Sequence, residues 1–164
     1  VFEKTGLVNV EMVETILPSE ERRRTKPYAI FECFQEIPCN PCFTGCKPGA
    51  VIPFEDINDI PKIDYERCNG CAQCVSACPG LACFVLDETS SDTEASIKLP
   101  YEFLPLPAEG QIVTALDREG NEVGTARVVK VQCSKKLDHT NIITIAVPKD
   151  QVQIIRGLRL EGSR

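Results

Sequence analysis

Residues 68–79 read Cys68-Asn69-Gly70-Cys71-Ala72-Gln73-Cys74-Val75-Ser76-Ala77-Cys78-Pro79, a run of spacing C-x2-C-x2-C-x3-C-P. An earlier run, Cys33-x5-Cys39-x2-Cys42-x3-Cys46, repeats most of it. Sliding the chain on itself by 32 residues lays Cys39 on Cys71, Cys42 on Cys74 and Cys46 on Cys78, with Ala50 on Ala82 and Ile52 on Phe84. That register describes two copies of one half-module, each a cysteine loop followed by an apolar strand. Neither copy has enough apolar sequence to bury a core alone, so the pair is expected to pack together around a bound inorganic group.

Composition narrows what that group is. Ten of the 164 residues are cysteine, histidine occurs once and tryptophan is absent. A histidine-rich metal site is thereby excluded. The first residues, VFEKTGLVNVEMVE, carry acids where a signal peptide has a basic leader. No stretch approaches the ~18 apolar residues of a membrane helix. A cytoplasmic chain is expected, and there thiols stay reduced and dense cysteines point to metal or redox chemistry rather than to disulfides. A C-x2-C-x2-C loop wraps three corners of an iron–sulfur cube with local backbone, whose N–H groups offset the negative charge on sulfur. Four-cysteine zinc sites also use C-x2-C pairs, but have no use for a third cysteine at the same spacing followed by Cys-Pro.

Residues 27–86 resemble a bacterial-type ferredoxin with two [4Fe–4S] clusters, on the strength of the motif CNGCAQCVSACPG. The resemblance implies that the fourth cysteine of each run serves the other run's cluster. Carried onto this chain, cluster one takes Cys33, Cys39, Cys42 and Cys78, and cluster two takes Cys46, Cys68, Cys71 and Cys74. Cys33 is out of register: the 32-residue shift sends Cys68 to Glu36, so the loop Phe34-Gln35-Glu36-Ile37-Pro38 carries a three-residue insertion. A longer loop still delivers a ligand at small entropic cost. The rival is a site with three cysteines, holding a [3Fe–4S] centre or using a Glu36 oxygen as fourth ligand; thiolate is the better match for iron–sulfur. Lys47 is expected to set a positive charge beside a cluster. Cys83 and Cys133 read as core residues or bystanders. Tyr28 and Tyr65, on the strands entering the two loops, read as packing over a cluster or in an ordinary core.

The expected fold is α+β: a ferredoxin-like two-cluster module followed by a small antiparallel β-barrel or sandwich. Residues 1–26 read as a strand over 7–12 and a short helix begun by Ser19, with Arg22, Arg23 and Arg24 on a solvated face or docking a partner. Residues 27–86 are the cluster module and 87–96 an acidic, turn-prone linker. Residues 97–164 form the all-β docking domain, with strands over 101–107, 111–116, 123–133, 142–147 and 152–160. His139 beside Asp138 lacks a nucleophile nearby and reads as surface. The net charge of −6 is concentrated at 27–96, which carries −8. That argues against the basic face nucleic acid needs, and suits either a basic docking partner or an ordinary solubilising surface.

A wider resemblance covers nearly the whole chain. LPSEERRR, ECFQEIPCNPCFTGCKPGAV, CNGCAQCVSACPGLACFV and LPYEFLPLPAEGQIV look like ferredoxin-type subunits of anaerobic, clostridia-like bacteria. The resemblance implies partners: FAD-containing oxidoreductase subunits and a small [2Fe–2S] protein, in hetero-oligomers similar to proline and amino-acid dehydrogenases. The expected function is therefore a non-catalytic subunit that relays single electrons through two [4Fe–4S] clusters between flavin sites or to an external acceptor. The alternatives are a free-standing ferredoxin-type carrier and an iron–sulfur redox sensor or assembly protein. A free carrier needs only the 60-residue block, and the residues on both sides of it favour the subunit.

Overall fold

The structure is a computed structural model that describes residues 2–137 and 139–162. Five short helices, α1 (Phe2–Thr5), α2 (Val10–Glu14), α3 (Glu20–Arg23), α4 (Pro41–Thr44) and α5 (Gln73–Ala77), accompany seven strands. The strands are β1 (Tyr28–Phe31), β2 (Cys83–Asp87), β3 (Glu94–Tyr101), β4 (Ile112–Leu116), β5 (Glu122–Gln132), β6 (Asn141–Pro148) and β7 (Gly157–Arg159). All seven belong to one antiparallel sheet of order β1-β2-β3-β6-β5-β4-β7.

The strand period of two sorts this sheet into two faces. Tyr28, Ile30, Phe84, Leu86, Ile97, Leu99, Val113, Val128, Ile143 and Ile145 point into one large core. Their neighbours Ala29, Phe31, Cys83, Val85 and Ile142 point to the other side, into a smaller core shared with Cys42, Cys68 and Cys74. The sheet curls around the large core until its two ends meet through side chains. Gln153, on the approach to β7, donates Nε2 to the Tyr28 hydroxyl at 3.1 Å, and Arg156 donates Nε to Glu32 at 2.6 Å.

Several local readings are corrected. Residues 7–12 are not a strand: Asn9 accepts the Met12 N–H at 2.9 Å and starts α2, which buries Val13 in the large core. Strand β3 ends at Tyr101, so 102–107 is loop, and 152–160 contributes only the three residues of β7. Asp87 pairs with Ser96 across β2 and β3, so the acidic segment between them is a hairpin connection. Ser19 does cap α3, accepting the Arg22 N–H. The Asp138–His139 pair falls partly outside the described residues, since Asp138 is not among them.

Candidate metal centre

The repeat seen in the cysteine runs is carried by the backbone. Helices α4 and α5 occupy the same place in each copy, 32 residues apart. Glu32 N–H donates to Ala82 O at 2.8 Å, and its counterpart Asp64 N–H donates to Ala50 O at 2.7 Å. Phe31 pairs with Cys83 in the β1–β2 ladder, and the equivalent Ile63 pairs with Val51 as an isolated bridge. In each case the entry strand of one copy pairs with the exit of the other, so neither half closes alone. Gly45 packs against Ala77, its counterpart: a Cβ added to Gly45 would lie 3.2 Å from the Ala77 Cβ.

Two cavities flank this pseudo-twofold junction, and each draws cysteines from both runs. One is lined by Cys46, Cys68, Cys71 and Cys74, under Ala29, Phe31 and Ile63. The other is lined by Cys33, Cys39, Cys42 and Cys78, with Ile37, Asp59, Pro61 and Cys83. They are alike in size, about 340 and 380 Å³ counting volume open to solvent. Cys33 therefore reaches the second cavity despite its inserted loop, and Phe2 packs edge-on against Phe34 of that loop. Among the described residues no group of three His, Cys, Asp or Glu is arranged to hold a single ion. Four thiols stand on the walls of each cavity, a donor set that fits an iron–sulfur cluster.

Amide donors point at the sulfurs, as an anionic cluster requires. Ala50 N–H donates to Cys46 Sγ at 3.3 Å and Ala82 N–H to Cys78 Sγ at 3.4 Å, the same four-residue reach in the two copies. Ala29 N–H donates to Cys68 Sγ at 3.3 Å. Tight backbone shapes the second loop: Gly70 has φ +69° with Pro27 against it, and Ala72 sits at φ +66°. Burial pushes the Cys42 thiol up to about 12 and also raises Cys33. A hydrogen bond from Cys83 is the main reason that Cys78 is lowered to about 6 and Cys74 is lowered too. Cluster loading needs thiolates, so it releases protons.

Cys83 is buried in β2, as a core residue would be, yet its thiol meets one cysteine of each cavity. Cys133, by contrast, is exposed. Tyr28 and Tyr65 stack edge-to-face on each other at 6.3 Å on the large-core side, as in an ordinary core. Lys47 is exposed. A buried cation beside the cysteines is Arg22, read from sequence as lying on a solvated helix face or docking a partner. It is only 6% exposed and donates to the carbonyls of Tyr65, Lys26, Pro27 and Cys68 at 2.7–3.1 Å. An arginine in the charged string Glu20-Glu21-Arg22-Arg23-Arg24 carries no local sign of burial. Arg23 pairs with Glu88 at 3.4 Å and Arg24 with Glu20.

Glu32, next to Cys33, is the second feature without a sequence signal. Its carboxylate accepts two bonds from Arg118 (2.8 and 2.7 Å) and one from Arg156 (2.6 Å). Arg156 also lies over the Phe84 ring at 5.3 Å. Burial works against the Glu32 charge, but the Arg118 hydrogen bonds and the two guanidinium charges outweigh it and hold the carboxyl below the usual range.

Comparison with known proteins bears on residues at this junction. The 4Fe-4S binding domain family matches residues 59–80. The chain is 31% identical over 125 residues to a selenate reductase subunit of Mesobacillus selenatarsenatis, a match spanning 75% of this chain and 40% of that protein. It is 42% identical over 43 residues to pyruvate synthase subunit PorD of Methanocaldococcus jannaschii, covering 26% of this chain and 48% of the relative. It is 46% identical over 39 residues to the thiosulfate reductase electron transfer subunit PhsB of Salmonella typhi, covering 24% and 19%. The chain thus spans less than half the length of each of these relatives. No solved structure matches. Among the described residues no helix is long and apolar enough to cross a membrane. Together the cysteine loop and the family match identify a 4Fe-4S binding domain of the ferredoxin type in this chain.

Proposed function

We propose that the chain is a non-catalytic electron-transfer subunit carrying two [4Fe–4S] clusters. One is held by Cys33, Cys39, Cys42 and Cys78 and the other by Cys46, Cys68, Cys71 and Cys74. The observation that carries this reading is the pair of four-cysteine cavities related by the 32-residue repeat, each taking its fourth cysteine from the other run. The clusters supply one-electron chemistry, and the chain's residues hold them, shield them and set their potentials. In this reading the partners are FAD-containing oxidoreductase subunits and a small [2Fe–2S] protein, in a cytoplasmic hetero-oligomer related to amino-acid dehydrogenases. The relatives named as subunits of reductases and of pyruvate synthase support assembly into a larger oxidoreductase.

The test is anaerobic purification from the native host together with whatever binds it, followed by iron counting on this chain and an absorption scan for flavin in the assembly. About eight irons per chain, with flavin on co-purifying subunits, are expected. A lone monomer that delivers electrons to generic acceptors at full speed overturns the subunit reading. Seven irons with a [3Fe–4S] EPR signal overturn the role of Cys33.

A further inference from the structure

We infer that the cluster held by Cys46, Cys68, Cys71 and Cys74 has the higher reduction potential of the two, and that Arg22 and Lys98 make it so. The inference rests on the two-cluster reading above. Reduction adds a negative charge to a cluster, so a fixed cation close by in a dry environment favours the reduced form.

Arg22 is such a cation. A guanidinium stays protonated in a protein. This one is 6% exposed, and among the described residues it makes no ion pair. Its partners are four backbone carbonyls, one of which belongs to Cys68 at 2.9 Å. A buried charge without a counter-ion is unfavourable. The anionic cluster, one residue away through Cys68, is the counter-charge that the protein part lacks. Lys98 adds to this from the sheet, with Nζ 3.4 Å from Gly70 O in the same loop.

The other cavity has the opposite surroundings. Among the described residues, Asp59 is the one charged side chain lining it apart from the thiols, and the adjoining groove sets three acids, Glu36, Glu55 and Asp59, against one cation, Lys62. The Arg118–Glu32–Arg156 group is net positive by one. It follows Phe31 in the alternation of β1, so it lies on the large-core side of the sheet, and its carboxylate sits between the two cations. Its effect on the Cys33 side is therefore weaker than that of an unpaired guanidinium. Electrons entering either cluster settle on the Cys68 side.

The experiment is an EPR-monitored redox titration of the full chain reconstituted anaerobically. The iron count is read first: about four irons rather than about eight reject the two-cluster reading itself, and the inference falls with it. With about eight, two reduction waves are expected, and Cys71→Ser shifts or removes the higher one. Arg22→Gln should lower that wave alone, so that the reduced-to-oxidised ratio at the wild-type midpoint falls about tenfold, equivalent to about 59 mV for one electron. Lys98→Met should lower the same wave by less, and Arg22→Lys should keep most of the wild-type potential. If Arg22→Gln fails to hold its iron, Lys98→Met decides alone, because it removes one 3.4 Å side-chain contact and leaves the backbone pairing of Lys98 with Val85 and Thr144 in place. The inference is overturned if Cys71→Ser acts on the lower wave. It is equally overturned if iron-replete Arg22→Gln or Lys98→Met leaves the higher wave in place.

Discussion

Replacing Glu32 by Gln tests how the two ends of the curled sheet are joined. The side chains of Glu32, Arg156 and Arg118 are 6%, 3% and 11% exposed, and the nitrogen–oxygen contacts are 2.6–2.8 Å. At an effective dielectric of about 20, each unit charge pair at about 4 Å contributes about 4 kcal/mol. Two pairs therefore set an upper bound of about 8 kcal/mol. The net loss is smaller, because the carboxylate no longer has to be desolvated, the amide oxygen still accepts one bond, and Arg118 can turn toward water. Removing one partner of a buried pair costs about 3–5 kcal/mol, and that is the expected loss. With a urea m-value of about 2 kcal/mol/M, the midpoint should fall by about 1.5–2.5 M. The assay is anaerobic urea unfolding of the cluster-loaded chain, followed by cluster absorbance and far-UV circular dichroism. Adding Arg156→Met to the variant should recover part of the loss, since it removes the 3% exposed cation that Glu32→Gln leaves without a counter-charge. The pH dependence has a definite sign. The folded carboxyl lies below its ordinary 4.5, so its contribution is complete above about that pH and disappears as pH falls through the folded value. Glu32→Gln should flatten that acid limb. A midpoint shift under about 0.5 M with iron retained, or an unchanged acid limb, would refute the reasoning.

Three further outcomes are expected. Gly70→Ala combines a left-handed backbone, costing about 1–2 kcal/mol, with a Cβ placed 2.5 Å from the Pro27 Cβ. Iron analysis should show loss from the Cys46/Cys68/Cys71/Cys74 side first, and retention of full iron would count against that loop geometry. Cys33→Ser should lower the iron content and bring out a [3Fe–4S] EPR signal or loss of one cluster, whereas Cys83→Ser should keep about eight irons. An unchanged EPR spectrum in Cys33→Ser would assign the fourth ligand elsewhere. Gly45→Ala puts a methyl 3.0 Å from Pro41 O and 3.2 Å from the Ala77 Cβ, which should cost about 1–3 kcal/mol and accelerate loss of both clusters on warming.

Which cysteines line which cavity follows largely from local spacing. Three thiols at x2-x2 spacing must fall on one turn of loop, and the 32-residue register transmits that geometry from one copy to the other. It extended to details: the alanines aligned by the shift, Ala50 and Ala82, are the ones that donate to Cys46 and Cys78. Even Cys33, three residues out of register, lines the expected cavity, because a few extra loop residues change closure entropy little.

What resisted reading depends on contacts between distant segments. Arg22 looks like its neighbours Arg23 and Arg24, and is buried because the 64–68 turn folds over it, 43 to 46 residues on. Glu32 finds Arg118 and Arg156 86 and 124 residues away, a match no local pattern encodes. Residues 7–12 alternate loosely like a strand, but an Asn9 cap and a core position for Val13 favour a helix. The strands β1 and β2 carry no mark of which other strands they will join. They lie in one sheet with β3–β7 because β2 alone cannot satisfy its outer edge, and the hairpin from Asp87 to Ser96 brings β3 to it. Cysteine spacing thus sets which atoms gather around each cavity, a matter of a few covalently linked residues. The charges around those cavities are set by long-range packing, because Coulomb interaction acts through space and burial rather than along the chain.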